Sequence, residues 1–390
     1  MTGEASSGPA RAMPRRVAMV GAGQLARMTH QAAVDLDVQL LVLAGGGDEP
    51  AAAAGAGFVI GRPEHLADLV ELAERADVLT LDHELVPGEH LRELERRGVV
   101  VRPGSDPLAL AQDKLHARRL LAREGFPVPD FTVVRDRDDV EQFAAAHGWP
   151  VVIKAPRGGY DGRGVDVVGD VAAAGELFTG FSRSGRAGAV WLAEPHLELE
   201  RELAVVLGRR PGGELRCYPV VETRQRDGIC VELVMPAQVP AEVAAEATAL
   251  ATRLADHIGA TGICAVELFY EVDGSLSVNE IALRPHNSGH ATIEACVTSQ
   301  FHQHLRAVLD WELGDPSLVA PAAATVNLIG GGEPADPAAR LASRQIEGAA
   351  VHLYGKSYRP GRKLGHVTSL ADTTDEALER ARQAAALLMG

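Results

Sequence analysis

The stretch Pro150-Val-Val-Ile-Lys-Ala-Pro-Arg-Gly-Gly-Tyr-Asp-Gly-Arg-Gly-Val165 joins a buried-strand pattern to a loop that is rich in glycine. The apolar run ends at Lys154, four glycines follow within residues 158–164, and a second apolar run covers Val165–Val168. This order predicts a strand–loop–strand flap, since the Gly-Lys-Ser/Thr ending of a P-loop is missing. Backbone N–H groups of such a loop can approach a phosphate closely, and Lys154 would add a positive charge.

Residues 262–282 predict a hairpin that carries two carboxylates. Asp273-Gly274 between two apolar runs is a strong signal for a two-residue turn. With that turn, Glu267 faces Glu280 on one side of the sheet. Like charges so placed are destabilising, and a divalent cation relieves the repulsion. We therefore predict that both are Mg²⁺ ligands, provided that no bulge shifts the register.

The N-terminal stretch Val17-Ala-Met-Val-Gly-Ala-Gly-Gln-Leu-Ala26 offers a competing nucleotide site. A strand, a glycine turn and a helix start are typical of dinucleotide-binding domains. Such a domain also needs an acidic residue at the end of its second strand, which here ends in Leu43-Ala-Gly-Gly-Gly47. We therefore disfavour an NAD-dependent oxidoreductase but keep it as the alternative from another class. The turn could also direct a helix N-terminus at a different phosphate.

Charge and composition narrow the class of protein. The net charge of −15 argues against a nucleic-acid or anionic-membrane partner, because both need a basic surface. No apolar run has the length of a membrane span, and residues 1–16 lack the apolar core of a secretory signal, so we expect a cytoplasmic protein. Only four of the 38 basic residues are lysines, and such positions favour a compact ammonium group. They are Lys114, Lys154, Lys356 and Lys363.

Alternating strand and helix patterns predict an α/β and α+β chain with several parts. We expect a disordered tail over 1–16 and an open α/β domain over 17–107. A central domain should cover 108–310, with its flap subdomain at about 126–195. A small C-terminal domain should cover 311–390.

Four motifs together resemble the 5-(carboxyamino)imidazole ribonucleotide synthetase family of the ATP-grasp superfamily. They are Gly23-Gln-Leu-Ala-Arg-Met28, Gly158-Gly-Tyr-Asp-Gly-Arg-Gly164, Arg284-Pro-His-Asn-Ser-Gly-His290 and Arg359-Pro-Gly-Arg-Lys-Leu-Gly-His366. The resemblance covers nearly all of residues 17–370. It implies an ATP-grasp architecture: an N-terminal open α/β domain, a central ATP-grasp domain with a glycine-rich flap, and a small C-terminal domain, usually in a homodimer. ATP would phosphorylate bicarbonate to carboxyphosphate. The exocyclic amine of 5-aminoimidazole ribonucleotide would then take up the carboxylate, leaving ADP and phosphate.

The resemblance also implies a role for each matching residue. The ATP site would comprise Lys114, Lys154, the flap residues Gly159, Tyr160, Asp161, Gly162, Arg163 and Gly164, the hinge residues Glu194, Pro195, His196 and Leu197, and also Glu202 and Asn279. The metal ligands would be Glu267 and Glu280. The catalytic residues would be Arg284, His286 and Asn287, at the bicarbonate or carboxyphosphate site, and Lys356. The ribonucleotide would contact Gln24, Leu25, Glu84, Tyr160, Asp161, Arg163, Lys356, Arg362 and Lys363.

Some segments depart from the family pattern. Leu81-Asp-His-Glu84 replaces Phe-Glu-Asn-Glu, Ala282-Leu-Arg284 replaces Ala-Pro-Arg, and the segment around Gln225 lacks an expected histidine. The alternatives within the superfamily are a formate-dependent purine transformylase or another carboxylate–amine ligase. A nucleotide-binding regulator without activity is disfavoured, because Lys154, Glu267, Glu280 and Arg284 are all present.

Overall fold

The structure is a computed structural model that describes residues 15–159, 164–186, 188–331 and 337–389. The predictions made for residues 1–14 of the tail and for Tyr160, Asp161, Gly162 and Arg163 of the flap fall outside the described residues. Arg16, placed in the tail by the sequence, instead begins the first strand. Within the described residues, no helix has both the length and the apolar character that crossing a bilayer requires.

The N-terminal part is an open α/β layer, as predicted. Its four strands are parallel in the order β3-β2-β1-β4, and their side chains are largely buried because helices cover both faces. Its elements are β1 (Arg16–Val20), α1 (Gln24–Asp35), β2 (Gln39–Ala44), β3 (Gly57–Ile60), α2 (Leu66–Ala73), β4 (Val78–Leu81), α3 (Gly88–Arg96) and α4 (Ser105–Gln112).

The first glycine turn holds a carboxylate of the protein itself. The Asp82 side chain, just after β4, accepts hydrogen bonds from the backbone N–H groups of Gly23 at 2.7 Å and Ala26 at 3.0 Å. A Cβ atom at Gly23 would lie 2.6 Å from the carboxylate, so any larger residue there would displace Asp82 from this position. The N-terminus of α1 therefore binds Asp82 rather than a phosphate, which argues further against a dinucleotide at this turn.

The flap subdomain is a small antiparallel sheet in the order β5-β8-β6-β7. Strands β6 and β7 pair directly, from Val151 with Val168 to Lys154 with Val165, which confirms the predicted strand–loop–strand arrangement. Its elements, and the helix that precedes them, are α5 (Lys114–Arg123), β5 (Thr132–Val134), α6 (Arg137–His147), β6 (Val151–Lys154), β7 (Val165–Val168), α7 (Val171–Arg183) and β8 (Trp191–Pro195).

The remaining strands form one nine-stranded sheet in the order β14-β13-β9-β11-β12-β15-β17-β16, with β10 beside β9. The strands after residue 311 do not form a separate sheet, because β12 pairs antiparallel with β15. These elements are β9 (Leu199–Arg209), β10 (Leu215–Cys217), β11 (Val221–Arg226), β12 (Ile229–Met235), α8 (Ala241–His257), β13 (Gly262–Glu271), β14 (Leu276–Ala282), α9 (Thr292–Ala295), α10 (Gln300–Val308), β15 (Ala322–Ile329), α11 (Pro337–Ser343), β16 (Ala349–Leu353), β17 (Lys363–Ala371) and α12 (Thr374–Met389).

A buried histidine joins the N-terminal layer to the large sheet. His304 on α10 accepts a hydrogen bond at Nδ1 from the backbone N–H of Ile263 at 3.1 Å, so its Nε2 carries the proton and donates to Thr80 Oγ1 at 2.9 Å. Its side chain is fully buried, and this burial lowers the pKa of His304 to about 3.

The depressed pKa predicts an acid-sensitive junction. In the unfolded chain the pKa of this histidine is about 6.5. The contribution of neutral His304 to the free energy of unfolding is therefore complete above that pH, falls as the pH drops, and is lost below about pH 3. At about pH 5 the loss is roughly 2 kcal/mol. The variant His304→Asn keeps an acceptor for Ile263 but cannot be protonated, so its melting temperature should fall less than the wild type's between about pH 7.5 and 5.

The exposed His116 on α5 provides the control. His116→Asn should lose as much thermal stability on acidification as the wild-type protein. Equal acid sensitivity of His304→Asn and the wild type would contradict the assigned role of His304.

Candidate active site

A cavity of about 680 Å³ lies where the flap sheet faces the large sheet. Its size suits a nucleotide-sized ligand. The sequence-predicted residues that line it are Lys114, Lys154, Glu194, Pro195, His196, Leu197, Glu202, Glu267, Asn279, Glu280, Arg284, His286, Asn287 and Lys363. The structure thus brings together most residues predicted for ATP, metal and bicarbonate.

Apolar side chains form part of the cavity lining. Val152 and Leu233 line the cavity together with the strand end at residues 194–197. Glu202 also lines it and hydrogen-bonds with Gln225, and burial raises the pKa of Glu202. An apolar lining with a few polar groups suits a purine base, and Glu202 suits a ribose hydroxyl.

A buried carboxylate between two cations marks the next part of the cavity. Glu194 Oε1 accepts from Arg118 Nε at 2.6 Å, and its Oε2 lies 2.5 Å from Lys154 Nζ. Burial alone would raise the pKa of Glu194, but Lys154 and Arg118 hold it below the ordinary value. Both carboxylate oxygens of Glu194 therefore bind other residues of the protein. Only the backbone of Glu194 remains for its predicted role in binding adenine.

In the hairpin of residues 262–282, Glu267 pairs with Glu280 as predicted, but the turn and the strand register next to it differ from the prediction. Glu271 N donates to Ser275 O, so the turn spans three residues, with Gly274 at a φ of +89°. This shifts the register by one residue, and a bulge at Asn279 shifts it back. Glu267 therefore still pairs with Glu280. The bulge also turns both Asn279 and Glu280 towards the cavity, which the two-residue turn would not have done.

The carboxylate pair fits a hard cation. Burial and the neighbouring Glu280 raise the pKa of Glu267, while Lys114 forms an ion pair with Glu280. Carboxylate oxygens beside a nucleotide-sized cavity are the donors that Mg²⁺ uses in proteins. No group of three or more His, Cys, Asp or Glu side chains among the described residues is arranged to hold a metal ion, so the pair offers two protein ligands.

The Arg284–His290 loop is held from two sides. Arg284 Nε donates to Glu84 at 2.7 Å, so a residue predicted for the ribonucleotide orients one predicted for bicarbonate. The buried Gln300 side chain binds both the backbone N–H and the carbonyl of His286, at 2.8 and 2.7 Å. Asn287 lines the cavity, and neither atom of its side-chain amide has a hydrogen-bond partner among the described residues. A buried amide of this kind is suited to a polar ligand.

His286 is neutral at pH 7. Burial and the nearby cations Arg284 and Lys363 hold the pKa of His286 well below its ordinary value. Its Nδ1 lies 2.8 Å from Ser288 Oγ and its Nε2 lies 3.6 Å from Glu267. The positive charge that faces a bound anion therefore comes from Arg284 and Lys363 rather than from the imidazole.

The residues predicted for the ribonucleotide come from both ends of the chain. Lys356 hydrogen-bonds with Gln24 at the start of α1, and Arg362 donates to Ser357 Oγ at 2.8 Å. Lys363 lines the cavity beside His286. The Leu25 side chain packs in the core behind α1, so only its backbone is placed to contact a ligand.

Three residues that position the site were missed at the sequence level. They are Asp82, which holds the turn before Gln24, Arg118, which binds Glu194, and Gln300, which holds the backbone of His286. A signal existed for Arg118 only: it lies four residues after Lys114 on one helix, a spacing that places two side chains on the same face.

The three parts of the chain match three family models. Residues 14–112 match the ribonucleotide synthetase preATP-grasp domain, residues 119–301 the ATP-grasp domain, and residues 323–380 the phosphoribosylaminoimidazole carboxylase C-terminal domain. Fold and site thus define an ATP-grasp ligase, which confirms the predicted fold class.

Comparison with individual proteins assigns the chain to one family within the ATP-grasp ligases. The N5-carboxyaminoimidazole ribonucleotide synthase of Mycobacterium tuberculosis is 48% identical over 377 residues, covering 95% of this chain and 86% of the relative. That of Corynebacterium ammoniagenes is 40% identical, covering 96% and 92%. The Aspergillus clavatus enzyme, solved with ADP and 5-aminoimidazole ribonucleotide, is 30% identical with a TM-score of 0.87, covering 96% and 98%. The chain belongs to the N5-carboxyaminoimidazole ribonucleotide synthase family.

The geometry predicts that Arg118 sets the affinity for ATP. Replacing it by methionine leaves a buried carboxylate with one partner and should cost about 3 kcal/mol of stability. Lys154 would then be drawn further onto Glu194, so the KM for ATP should rise roughly tenfold while the KM for the second substrate changes little. Thermal melting and steady-state kinetics measure both effects.

Arg119, the next residue on α5, is exposed and is the matched control. Arg119→Met should leave both the melting temperature and the KM for ATP close to the wild-type values. An Arg118→Met protein that loses stability but keeps its KM for ATP would show that Arg118 only supports the fold.

Proposed function

We propose that this chain carries out the reaction for which its family is named, the ATP- and bicarbonate-dependent carboxylation of 5-aminoimidazole ribonucleotide on its exocyclic amine. The products are N5-carboxyaminoimidazole ribonucleotide, ADP and phosphate. The proposal is based on one observation: the predicted ATP-binding residues, the carboxylate pair and the Arg284–His290 loop all line the same cavity. The enzyme is proposed to act as a cytoplasmic homodimer, as the resemblance of its sequence implies.

The first half of the reaction is phosphoryl transfer from ATP to bicarbonate. Lys154 and Lys114 reach the cavity from the flap and from α5, where they would bind the phosphates and offset charge on the transferred group. Glu267 and Glu280 would hold Mg²⁺, which supplies further charge neutralisation at the phosphates. Arg284 and Asn287 line the same cavity and would bind bicarbonate beside them, and the side-chain amide of Asn287 has no hydrogen-bond partner among the described residues.

The second half is transfer of the carboxylate to the amine. Lys356 and Arg362 supply two cations from one loop of the C-terminal part, with Lys363 adjacent, and these suit the phosphate of the ribonucleotide. Gln24, which lies against Lys356, would also contact the ribonucleotide. The glycine-rich loop after Lys154 would cover the cavity and keep out water, which otherwise hydrolyses carboxyphosphate.

The test is ADP release from Mg-ATP and bicarbonate, with and without 5-aminoimidazole ribonucleotide. Strong stimulation by the ribonucleotide that disappears without bicarbonate is the expected result. Stimulation by formate or by another amine instead would move the assignment to a different ATP-grasp ligase. An absence of ATP turnover with every acceptor would favour a nucleotide-binding regulator.

Glu280→Gln should abolish turnover, because it removes one negative charge from the predicted metal site while preserving shape. We expect at least a hundredfold loss in kcat, on the order of 3 kcal/mol, with an unchanged melting temperature. Glu271→Gln, on the same hairpin but outside the cavity, is the matched control. Substantial activity in the Glu280 variant would disprove the metal assignment.

Lys356→Ala should raise the KM for the ribonucleotide by at least tenfold, because it removes a cation from the proposed phosphate site. The KM for ATP should stay within about twofold, since Lys356 does not line the ATP cavity. Arg359→Ala, an exposed position in the same loop, controls for loop disturbance. An equal rise in both KM values would contradict the role given to Lys356.

A further inference from the structure

The loop between β16 and β17 carries Lys356 and Arg362, the cations assigned to the ribonucleotide phosphate, and Lys363 follows as the first residue of β17. We call residues 355–363, which include Lys363, the anchor loop. The two strands pair antiparallel, with His352 opposite His366 and Leu353 opposite Gly365. The anchor loop is thus the end of a hairpin, and its position depends on what holds the base of that hairpin.

Two buried side chains close the base. The Tyr354 hydroxyl lies 2.7 Å from His366 Nδ1, and the Tyr354 backbone N–H donates to the Leu364 carbonyl at 2.9 Å. Tyr354 is 1% exposed and His366 is fully buried. Tyr354 also lies under the loop, with its ring 5.7 Å from Lys356 Nζ.

The same histidine touches the loop assigned to bicarbonate. His366 stacks between His290 and His352, with ring centroids 4.7 and 4.5 Å apart. His290 ends the Arg284–His290 motif, and its Nδ1 is 3.3 Å from the Gln300 amide that also holds the His286 backbone. A continuous set of contacts therefore runs from the anchor loop, through Tyr354 and His366, to the loop of the catalytic arginine.

This arrangement costs stability compared with an apolar core. His290 Nε2 and His366 Nε2 are buried and have no hydrogen-bond partner among the described residues. Aliphatic side chains would fill the space without that desolvation cost. Burial is the main cause that lowers the pKa of both imidazoles, with Lys363 adding to it at His290 and the neighbouring His290 and His352 at His366, so no ion pair compensates. Flat rings in contact do, however, fix distance and tilt more narrowly than flexible aliphatic chains do.

We propose that Tyr354 and His366 are positioning residues that fix the anchor loop, and with it the ribonucleotide, relative to the Arg284–His290 loop. They do not touch the substrates themselves. The proposal deepens the proposed function and rests on it, because the cations they place are those assigned to the ribonucleotide phosphate.

The test removes one oxygen atom. Tyr354→Phe keeps the buried ring and the stack but loses the contact with His366 Nδ1. We expect the KM for 5-aminoimidazole ribonucleotide to rise about five- to tenfold, as the loss of one hydrogen bond permits, with the KM for ATP and for bicarbonate within about twofold.

Tyr218→Phe is the matched control. Tyr218 is equally buried at 1% exposure, and its hydroxyl donates one hydrogen bond to the Thr298 carbonyl at 2.9 Å, away from the anchor loop. Both variants should lose similar thermal stability, but only Tyr354→Phe should change the KM for the ribonucleotide. Identical kinetics in the two variants would overturn the proposal and leave Tyr354 a purely structural residue.

Variants at His366 provide a second, independent test of the proposal. His366→Asn keeps a polar group near the position of Nδ1 for the Tyr354 hydroxyl, whereas His366→Leu keeps only bulk. The asparagine variant should retain a lower KM for the ribonucleotide than the leucine variant. Equal KM values would contradict a role for the hydrogen bond. A wild-type enzyme without any response to the ribonucleotide would instead overturn the proposed function itself.

Discussion

The carboxylate of Glu194, shared between Arg118 and Lys154, is the interaction on which the nucleotide cavity depends. It joins helix α5 to strands β6 and β8, and Arg118 also donates to the Asn279 carbonyl at the bulge of β14. A buried ion is tolerated only when its partners are fixed, so the three elements cannot move independently without exposing an unpaired charge. The position of Lys154, the lysine proposed to bind ATP, is thereby fixed relative to the bulge that turns Glu280 towards the cavity.

Charge is distributed unequally in this acidic protein. The chain carries a net charge of −15, yet three of its four lysines line one cavity and the fourth contacts Gln24 near it. Three of the predicted anion-binding groups face carboxylates: Lys114 pairs with Glu280, Lys154 with Glu194 and Arg284 with Glu84. These partners hold long flexible side chains in place and lower the cost of concentrating positive charge.

The hairpin that carries Glu267 and Glu280 illustrates how a correct prediction of strand pairing can rest on an incomplete geometry. The Asp273-Gly274 signal located the turn, but the turn spans three residues and not two. The bulge at Asn279 restores the pairing of Glu267 with Glu280. A bulge depends on what each face of the strand must contact, and sequence alternation alone does not encode that.

The sequence by itself determined the element types, the flap, the carboxylate pair and the grouping of the lysines. Periodicity, glycine placement and side-chain chemistry are local properties, so they can be read without the fold. The tertiary structure alone decided that Asp82 binds the first glycine turn and that Gln300 holds the backbone of His286. It also decided that Tyr354 and His366 link the anchor loop to the Arg284–His290 loop. It also joined the C-terminal strands to the central sheet. Such contacts depend on how separate elements pack and on which side-chain atoms meet, and neither leaves a pattern in the local sequence.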